Sequence, residues 1–600
     1  MRKTFAFLMA VMCVTMVYAQ YGILVNGKTY FAAEYKGPDG QGEGFEEYLA
    51  HVGVKSGDYC QLYDAGNKAA WVVDVNKYSE QGFTRDGDKI KVTVDGCYDF
   101  YIKLKYEADE LYVGKGSNCG EGEDKDKITP TYGTAVPGNC PDVVFQCFYW
   151  DSYEDKGYGR TKWKDLLSDG QAAEIGQWFD LVWLPPMSKS SGGTGYHPIC
   201  YSKLDSDWGT KANLQALIAT LHLNGAKVVA DIVINHADGQ NSWCKFAEMD
   251  FGSYGKFQPT AAWICKSDEM NSSPDAGDDC KGKATGDYDD GYGDEANYAA
   301  SRDWDHNNEQ VRQMFRAYLK WMRNEVHVEG FRYDYCKGFH NSHINDYNKA
   351  SGAYFSVMEM WDGNPDVLQQ HLNDAGWNTL TFDFATKYQA FNQGIASDNY
   401  GALKGAGLLG AGKGKYAVTF LDSHDSFQRD DNEFCGKNNS MKYPGKIQQC
   451  YAYLLSMPGV PLVFYPHWVK FKEQIKPMLN ARYKAGVHSE SPVSDEAGTG
   501  FYKATITGSN GEIKVFIGPN SGYKDTPSGF TKAVVGENYG VYYKMNSARG
   551  DKDKERTPQG IENVQSDNVQ GTKGEKFMEN GQLFIRLGEQ VYDVQGRRVK

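Results

Sequence analysis

From residue 141 onward, short apolar runs recur between longer stretches of mixed polarity. They fall at residues 143–150, 181–184, 227–234, 329–334, 355–360, 379–384, 416–422 and 460–465. Runs of this length and apolar content fit buried strands. The clearest intervening helix has Val311, Met314, Phe315, Tyr318, Leu319 and Met322 at helical spacing. Eight buried strands with helices between them predict an α/β fold, a (β/α)8 TIM barrel over 141–466. A doubly wound open sheet is the structural alternative. Residues 237–305, after the third strand, are too many for a loop without structure, which predicts a small inserted domain.

The pattern differs on either side. Within 21–118, residues 71–75, 89–94 and 98–104 are β-rich or alternate apolar with polar, between Gly-Asp and Asp-Gly steps. This predicts an N-terminal β-sandwich. Residues 119–140 are rich in Gly, Pro and charge and read as a linker. Strand-like runs return over 467–545, a C-terminal β-domain. Residues 546–600 read as a polar, flexible segment ending in a short hairpin from 582–586 and 590–594. At the start, Arg2 and Lys3 precede an apolar run over 5–17, with Val17, Tyr18 and Ala19 before Gln20. That is the layout of a signal peptide cut after Ala19, so the chain is expected to be exported, then secreted or held at the cell surface. No later segment offers a membrane span.

Composition narrows the partner. The 600 residues carry a formal net charge of -14, which argues against nucleic acid and is compatible with a neutral polymer. The 41 Tyr, 29 Phe and 13 Trp suit sugar faces, although core packing accounts for most aromatic residues. Removing Cys13 with the leader leaves an even set of cysteines, which allows disulfides; Cys60 with Cys97 is one possible pair. No close Cys/His spacing reads as a zinc site.

Catalytic groups of a (β/α)8 barrel sit at the C-terminal ends of its strands. Four such ends carry unusual polar residues. The third strand closes on Asp231, Asn235 and His236; the fourth on Arg332 and Asp334; the fifth on Glu359, Trp361 and Asp362; the seventh on Asp422, His424 and Asp425. Arg332 and Asp334 have the same parity and point the same way, so the guanidinium is expected to keep the carboxylate ionised, as a nucleophile needs. Glu359 sits among apolar and aromatic neighbours, which favours the raised pKa of a general acid. Retaining glycoside hydrolysis uses such a pair. Each carboxylate alone is most simply a solvated or ion-paired loop residue; the ordered set is not.

With these segments in order, the chain from about 141 to 545 resembles the α-amylase family of retaining glycosidases, its plant-type members above all. The stretch 231–236, Asp-Ile-Val-Ile-Asn-His, matches the family's first signature, and 330–338, Gly-Phe-Arg-Tyr-Asp-Tyr-Cys-Lys-Gly, its second. Glu359 and the pair His424 and Asp425 complete the set, with 183–186, Trp-Leu-Pro-Pro, and 195–198, Gly-Tyr-His-Pro, as further matches. The resemblance implies Asp334 as nucleophile, Glu359 as acid/base and Asp425 as the stabiliser of the transition state. It implies Arg332, His236 and His424 as polar contacts, Tyr196 as a stacking platform and Lys337 as a contact on the leaving-group side. Gly338 stands where many members have His, and Ser423 where Asn is usual. Both departures concern outer sugar subsites.

The segment 287–305 is dense in Asp, with Asp287, Asp289, Asp290, Asp294, Asp303 and Asp305. Hard oxygen donors among small residues suit calcium, and a charged surface loop has the same composition. The resemblance implies a structural Ca²⁺ between insert and barrel, held by Asn235 and Asp303, the backbone oxygens of Ala300 and Gly338, and, less well aligned, Asp294. Residues 407–413 have P-loop spacing, but Gly414 follows and a strand comes next, so nucleotide binding is not expected. In the N-terminal region Trp71, Tyr30, Tyr35 and Tyr63 are candidate glucan-stacking residues, with core packing the alternative for each. Residues 592–598 resemble the short sorting tails of some bacterial exported proteins. The expected activity is that of a secreted, monomeric α-amylase: endo-hydrolysis of α-1,4-glucosidic bonds in starch or a related polysaccharide. An α-glucan transglycosylase or exo-acting relative, or a non-catalytic glucan-binding protein, are the alternatives.

Overall fold

The computed structural model describes residues 21–38, 46–64, 69–75, 82–104, 109–116, 119, 123–124, 135–150, 152–154, 157–168, 170–293, 296, 298–427, 445–546, 575–579, 582–587 and 590–593. The expected signal peptide, Asp294 and the side chain of Tyr35 lie outside the described residues. The chain divides into two compact units, residues 1–133 and 134–600.

The first unit is a ten-stranded antiparallel sheet. The long strand Thr29–Pro38 pairs through its first part with Tyr21–Val25 and through its second with Glu46–Val54, carrying the sheet round a core of Ile23, Val52, Leu62, Ile90, Phe100, Ile102 and Leu111. Three sequence expectations change here. Cys97 bonds to Cys119, not to Cys60, which is buried and unpaired. Residues 123–124, read as linker, add a short strand beside Thr29–Pro38. Tyr30 and Tyr63 are buried edge to face with centroids 5.7 Å apart, so neither offers a surface to a sugar. Trp71 is half-buried and donates its indole N–H to Asp109.

The second unit is built on a closed barrel of eight parallel strands. They are β1 Val144–Gln146, β2 Leu181–Leu184, β3 Lys227–Ile232, β4 Gly330–Tyr333, β5 Phe355–Met358, β6 Leu380–Phe382, β7 Ala417–Phe420 and β8 Val460–Phe464. All but the first residue of β3 are buried, as expected of strands covered on both faces. The expected helix spans Glu309–Trp321, capped by Asn308, whose side chain accepts from Gln310 N. It buries Val311, Met314, Phe315, Tyr318 and Leu319 on one face; Met322, also buried, begins the π-helical turn that follows.

The insert after β3 has little regular structure. Its first and last residues pair, His236 opposite Asp303 and Ala237 opposite Arg302, and the Cys244–Cys280 disulfide staples its interior. The C-terminal β-domain starts later than its sequence boundary of 467, because the helix Tyr465–Ala485 fills that stretch. A five-stranded antiparallel sheet over 493–545 follows. The expected terminal hairpin has a third strand, Glu575–Glu579, paired ahead of Gln582–Leu587 and Gln590–Asp593. Among the described residues, no helix is long and apolar enough to cross a membrane.

Candidate active site

The site is assembled where β3, β4, β5 and β7 run out. Parallel pairing sets Asp231 opposite Arg332. Backbone bonds continue past the strand ends, from Asp334 N to Ile232 O and from Glu359 N to Tyr333 O, both 3.0 Å. They fix the height at which each acid leaves the wall.

Arg332 is the hub, 1% exposed. Its Nη1 reaches Asp231 Oδ1 at 2.9 Å and Asp334 Oδ1 at 2.6 Å, and its Nη2 reaches Glu359 Oε1 at 2.6 Å. One guanidinium therefore ties the fourth and fifth strand ends together, using the planar fork that lysine lacks. Asp231 Oδ2 also accepts from Trp183 Nε1 at 3.1 Å and Tyr196 OH at 2.9 Å. Tyr335, just after Asp334, sits at φ 48°, a left-handed conformation that costs a non-glycine residue about 1–3 kcal/mol. The turn aims Tyr335 N at Glu359 Oε2, 3.0 Å away.

Beside the acids lies an aromatic floor. The Tyr196 and His424 rings are parallel within 6° with centroids 5.3 Å apart, and Tyr196 OH lies 2.8 Å from His424 Nε2. Trp150 is parallel to both, 4° from Tyr196 and 8° from His424. His424 Nδ1 meets Gln146 Nε2 at 2.9 Å, and its Nε2 lies 3.2 Å from Asp425 Oδ2. His236 Nε2 is 2.9 Å from Tyr196 O, and its ring stacks on Tyr298 at 4.1 Å. The rings of Trp150, Tyr196, His236, Tyr298 and His424, with Asp334, Tyr335, Lys337, Glu359, Trp361 and Asp425, line a cavity of about 280 Å³.

The electrostatics are those of too few cations among too many acids. Burial raises Asp334 and Glu359, with Arg332 opposing in each case, and Asp334 adds to the rise at Glu359. Burial, then Glu359, takes Asp425 well above the usual carboxylate range, and burial pushes Asp231 up to about 7. The expected net lowering of Asp334 by Arg332 is thus overturned: the guanidinium pulls down, but it is shared and burial outweighs it. Burial lowers Arg332, yet Asp231, Glu359 and Asp334 together lift it well above its usual value. Burial keeps both imidazoles neutral, His236 at about 4 and His424 well below 6.5. The acids are therefore displaced upward together and titrate as a coupled set, with a permanent cation in its midst.

The sequence-predicted residues Tyr196, His236, Arg332, Asp334, Lys337, Glu359, His424 and Asp425 all meet at this cavity or, for Arg332, directly beneath it. Sequence reading assigned no role to Asp231, Gln146, Trp150, Tyr298, Tyr335 or Trp361. An Asp inside an otherwise apolar strand was the available signal for Asp231. The rings had none beyond their place after strand ends.

The expected calcium ligands lie next to this site. Asn235 is 1% exposed, and its Oδ1 has no hydrogen-bond partner. Its Nδ2 is 3.1 Å from Asp303 Oδ1. A Cβ at position 338 would collide with Asn235 Oδ1, so glycine is what lets that backbone approach. Burial, then Asp268 and Asp289, holds Asp303 well above its usual pKa. An orphaned carbonyl beside a buried acid short of cations fits a hard divalent ion. Ala300 is exposed in the turn before Ser301. The grouping of Cys244, Asp279 and Cys280 is the disulfide with a neighbouring acid, not a metal centre.

Comparison with known proteins gives the family. The family model for the alpha-amylase catalytic domain matches residues 173–556. Chloroplastic alpha-amylase 3 of Arabidopsis thaliana is 29% identical over 448 residues, 70% of this chain and 46% of that protein. Probable alpha-amylase 2 of the same plant is 28% identical over 435 residues, 67% of this chain and 94% of that one. A glucan 1,4-alpha-maltotetraohydrolase of Stutzerimonas stutzeri is 26% identical over 415 residues, 64% of this chain and 69% of that one. The chain thus spans less than half the length of the first of these relatives and nearly all of the second.

Proposed function

Because the chain belongs to the alpha-amylase family and is a glycoside hydrolase acting on α-glucan, we propose that it cuts internal α-1,4-glucosidic bonds with retention of configuration. The observation that carries this reading is the single guanidinium of Arg332 bridging Asp334 and Glu359 in one sugar-sized cavity. Asp334 is the nucleophile: Arg332 at 2.6 Å stabilises its anion. Glu359 gives its proton to the leaving oxygen as Asp334 attacks the anomeric carbon, then takes a proton from water to release the glycosyl-enzyme. Burial and Asp334 both favour the protonated Glu359 at the start. Once Asp334 is esterified its charge is gone, and Glu359 ionises more readily, as a base must. Asp425 faces the positive charge that develops on the sugar ring. The parallel rings of Tyr196 and His424 support an apolar sugar face.

Asn235, Asp303, Gly338 and Ala300 are the residues that would hold Ca²⁺, with a structural role in joining the insert to the barrel. Export of the enzyme is supported by the disulfides Cys97–Cys119 and Cys244–Cys280, since such bonds persist in oxidising compartments.

The test is release of short oligosaccharides from soluble starch, assayed on culture medium and on purified protein, wild type against Glu359→Gln. Wild-type release into the medium, reduced in the variant by on the order of 10²–10⁴, is the expected result. An unaffected Glu359→Gln enzyme would remove Glu359 from the chemistry, and activity confined to cells would contradict export. Products longer than the substrate would favour a transglycosylase.

A further inference from the structure

A second ionisable cluster is buried behind the end of β7, and none of its members lines the cavity. Lys387 and Asp422 are both 0% exposed, with Nζ 3.2 Å from Oδ1. Lys387 also donates to the Leu421 carbonyl and lies 5.0 Å from the Phe420 ring centroid. On the far side His467 Nε2 is 3.6 Å from Asp422 Oδ2, while His467 Nδ1 meets Tyr451 OH at 3.0 Å. Burial pushes Lys387 down and Asp422 up, each countered by the other, and holds His467 neutral at about 3.

Stability is a weak reason for such a pair, because well-packed apolar residues of similar volume often do as well or better. What the pair touches gives a stronger one. Asp422 opens the turn that carries His424 and Asp425. Its Oδ1 accepts from Ser426 Oγ at 2.7 Å. Ser426 Oγ accepts from Ser423 N at 3.0 Å, and Ser423 Oγ accepts from Asp425 N at 3.4 Å. Phe427 N closes the turn on Ser423 O at 3.0 Å. An unbroken chain of polar contacts thus runs from the Lys387 ammonium to the backbone of Asp425.

Lys387 is itself held in place. Asp383, fully buried at the end of β6, accepts from Thr386 N at 2.8 Å and caps the short helix Phe384–Thr386. The π-helix Lys387–Ile395 continues from it. Such turns are rare and concentrate at functional sites. Here the π-helix begins on the residue that reaches across to the loop after β7.

We propose that the buried pair Lys387–Asp422 is a positioning device for the reaction, fixing through Ser426 and Ser423 the turn that presents His424 and Asp425 to the sugar. The proposal rests on the retaining reading above, in which Asp425 acts on the transition state.

Ser426→Ala removes one hydroxyl from the chain of contacts and leaves the ion pair intact. Lys387→Met and Asp422→Asn each remove one charge, and the double variant removes both. Three quantities are read well below each melting temperature: kcat and KM on a maltooligosaccharide, the Ki of a transition-state analogue, and amide exchange over 421–427. In Ser426→Ala, kcat is expected to fall about ten-fold with KM little changed, since displacement of a positioned group by about 1 Å costs up to 10²-fold. Analogue affinity falls with it, and exchange over 421–427 rises. The double variant recovers melting temperature lost by the single ones but not kcat. Wild-type kcat together with wild-type exchange in Ser426→Ala would overturn the proposal, even if the charge variants fail to fold. A wild type that leaves α-glucan uncut would defeat the functional reading instead, and the exchange measurement would still decide whether this chain of contacts orders the turn.

Discussion

Four carboxylates, Asp231, Asp334, Glu359 and Asp425, crowd one guanidinium, and burial raises every one of them. Asp425 is raised by desolvation and then by the nearby Glu359, although its side chain keeps 30% of its exposure. Its folded-state pKa lies above the unfolded value, so the stability tied to its proton is fully present below the ordinary 3.8 and is lost as pH rises through the raised value. Asp425→Asn removes that loss. The expected variant melts no lower than wild type at neutral pH and declines less as pH rises, while kcat falls by on the order of 10²–10³. A melting temperature that falls more steeply with pH than in wild type would contradict this. At this scale the sequence revealed which acids meet, because strand parity and position at strand ends place side chains. It did not reveal their charge state. Arg332 beside Asp334 reads as simple pairing until the structure shows Asp231 and Glu359 drawing on the same cation.

Elements were legible to the extent that burial is written as pattern. The eight barrel strands stand out because both faces are covered, and helix Glu309–Trp321 because only one face is. Boundaries without such contrast were misread. Residues 467–485 are helical on both sides of a kink at Phe471, although Pro477 lies inside, and Arg482 is buried and donates to Leu455, Met457 and Gly459 carbonyls, contacts no local pattern records. The partner of Cys97 depended on where residue 119 returns, which spacing does not give. The insert packs Met249, Phe251, Ile264, Met270 and Trp304 into the barrel's core and is stapled by a disulfide, and a bound ion would add to that stability at the Asn235 end. Excess chelator is expected to lower the melting temperature, by the equivalent of about 2.7 kcal/mol if calcium stood at 100 times its Kd. Asn235→Ala should lower the melting temperature and abolish the response. An unchanged melt of the wild-type protein in chelator would remove the ion from the account.

For the molecule as a whole, a barrel rigid by burial carries its chemistry on the turns that follow four strands, and each turn is tied down by something behind it. Asp334 and Glu359 hang from backbone bonds to neighbouring strands, Tyr335 is strained to reach Glu359, and His424 and Asp425 ride on the turn anchored by Lys387. The family was readable because these residues are fixed in order along the chain, whereas the anchors behind them carry no local signature. The account's central claim is that Asp334 and Glu359 act in turn on one sugar, forming and then releasing a glycosyl-enzyme. The anomeric configuration of the first products from a maltooligosaccharide, followed by proton NMR before mutarotation, tests it directly. Products appearing first in the α configuration are the predicted result. Products appearing first as β anomers would show a single displacement by water and contradict the roles given to both residues.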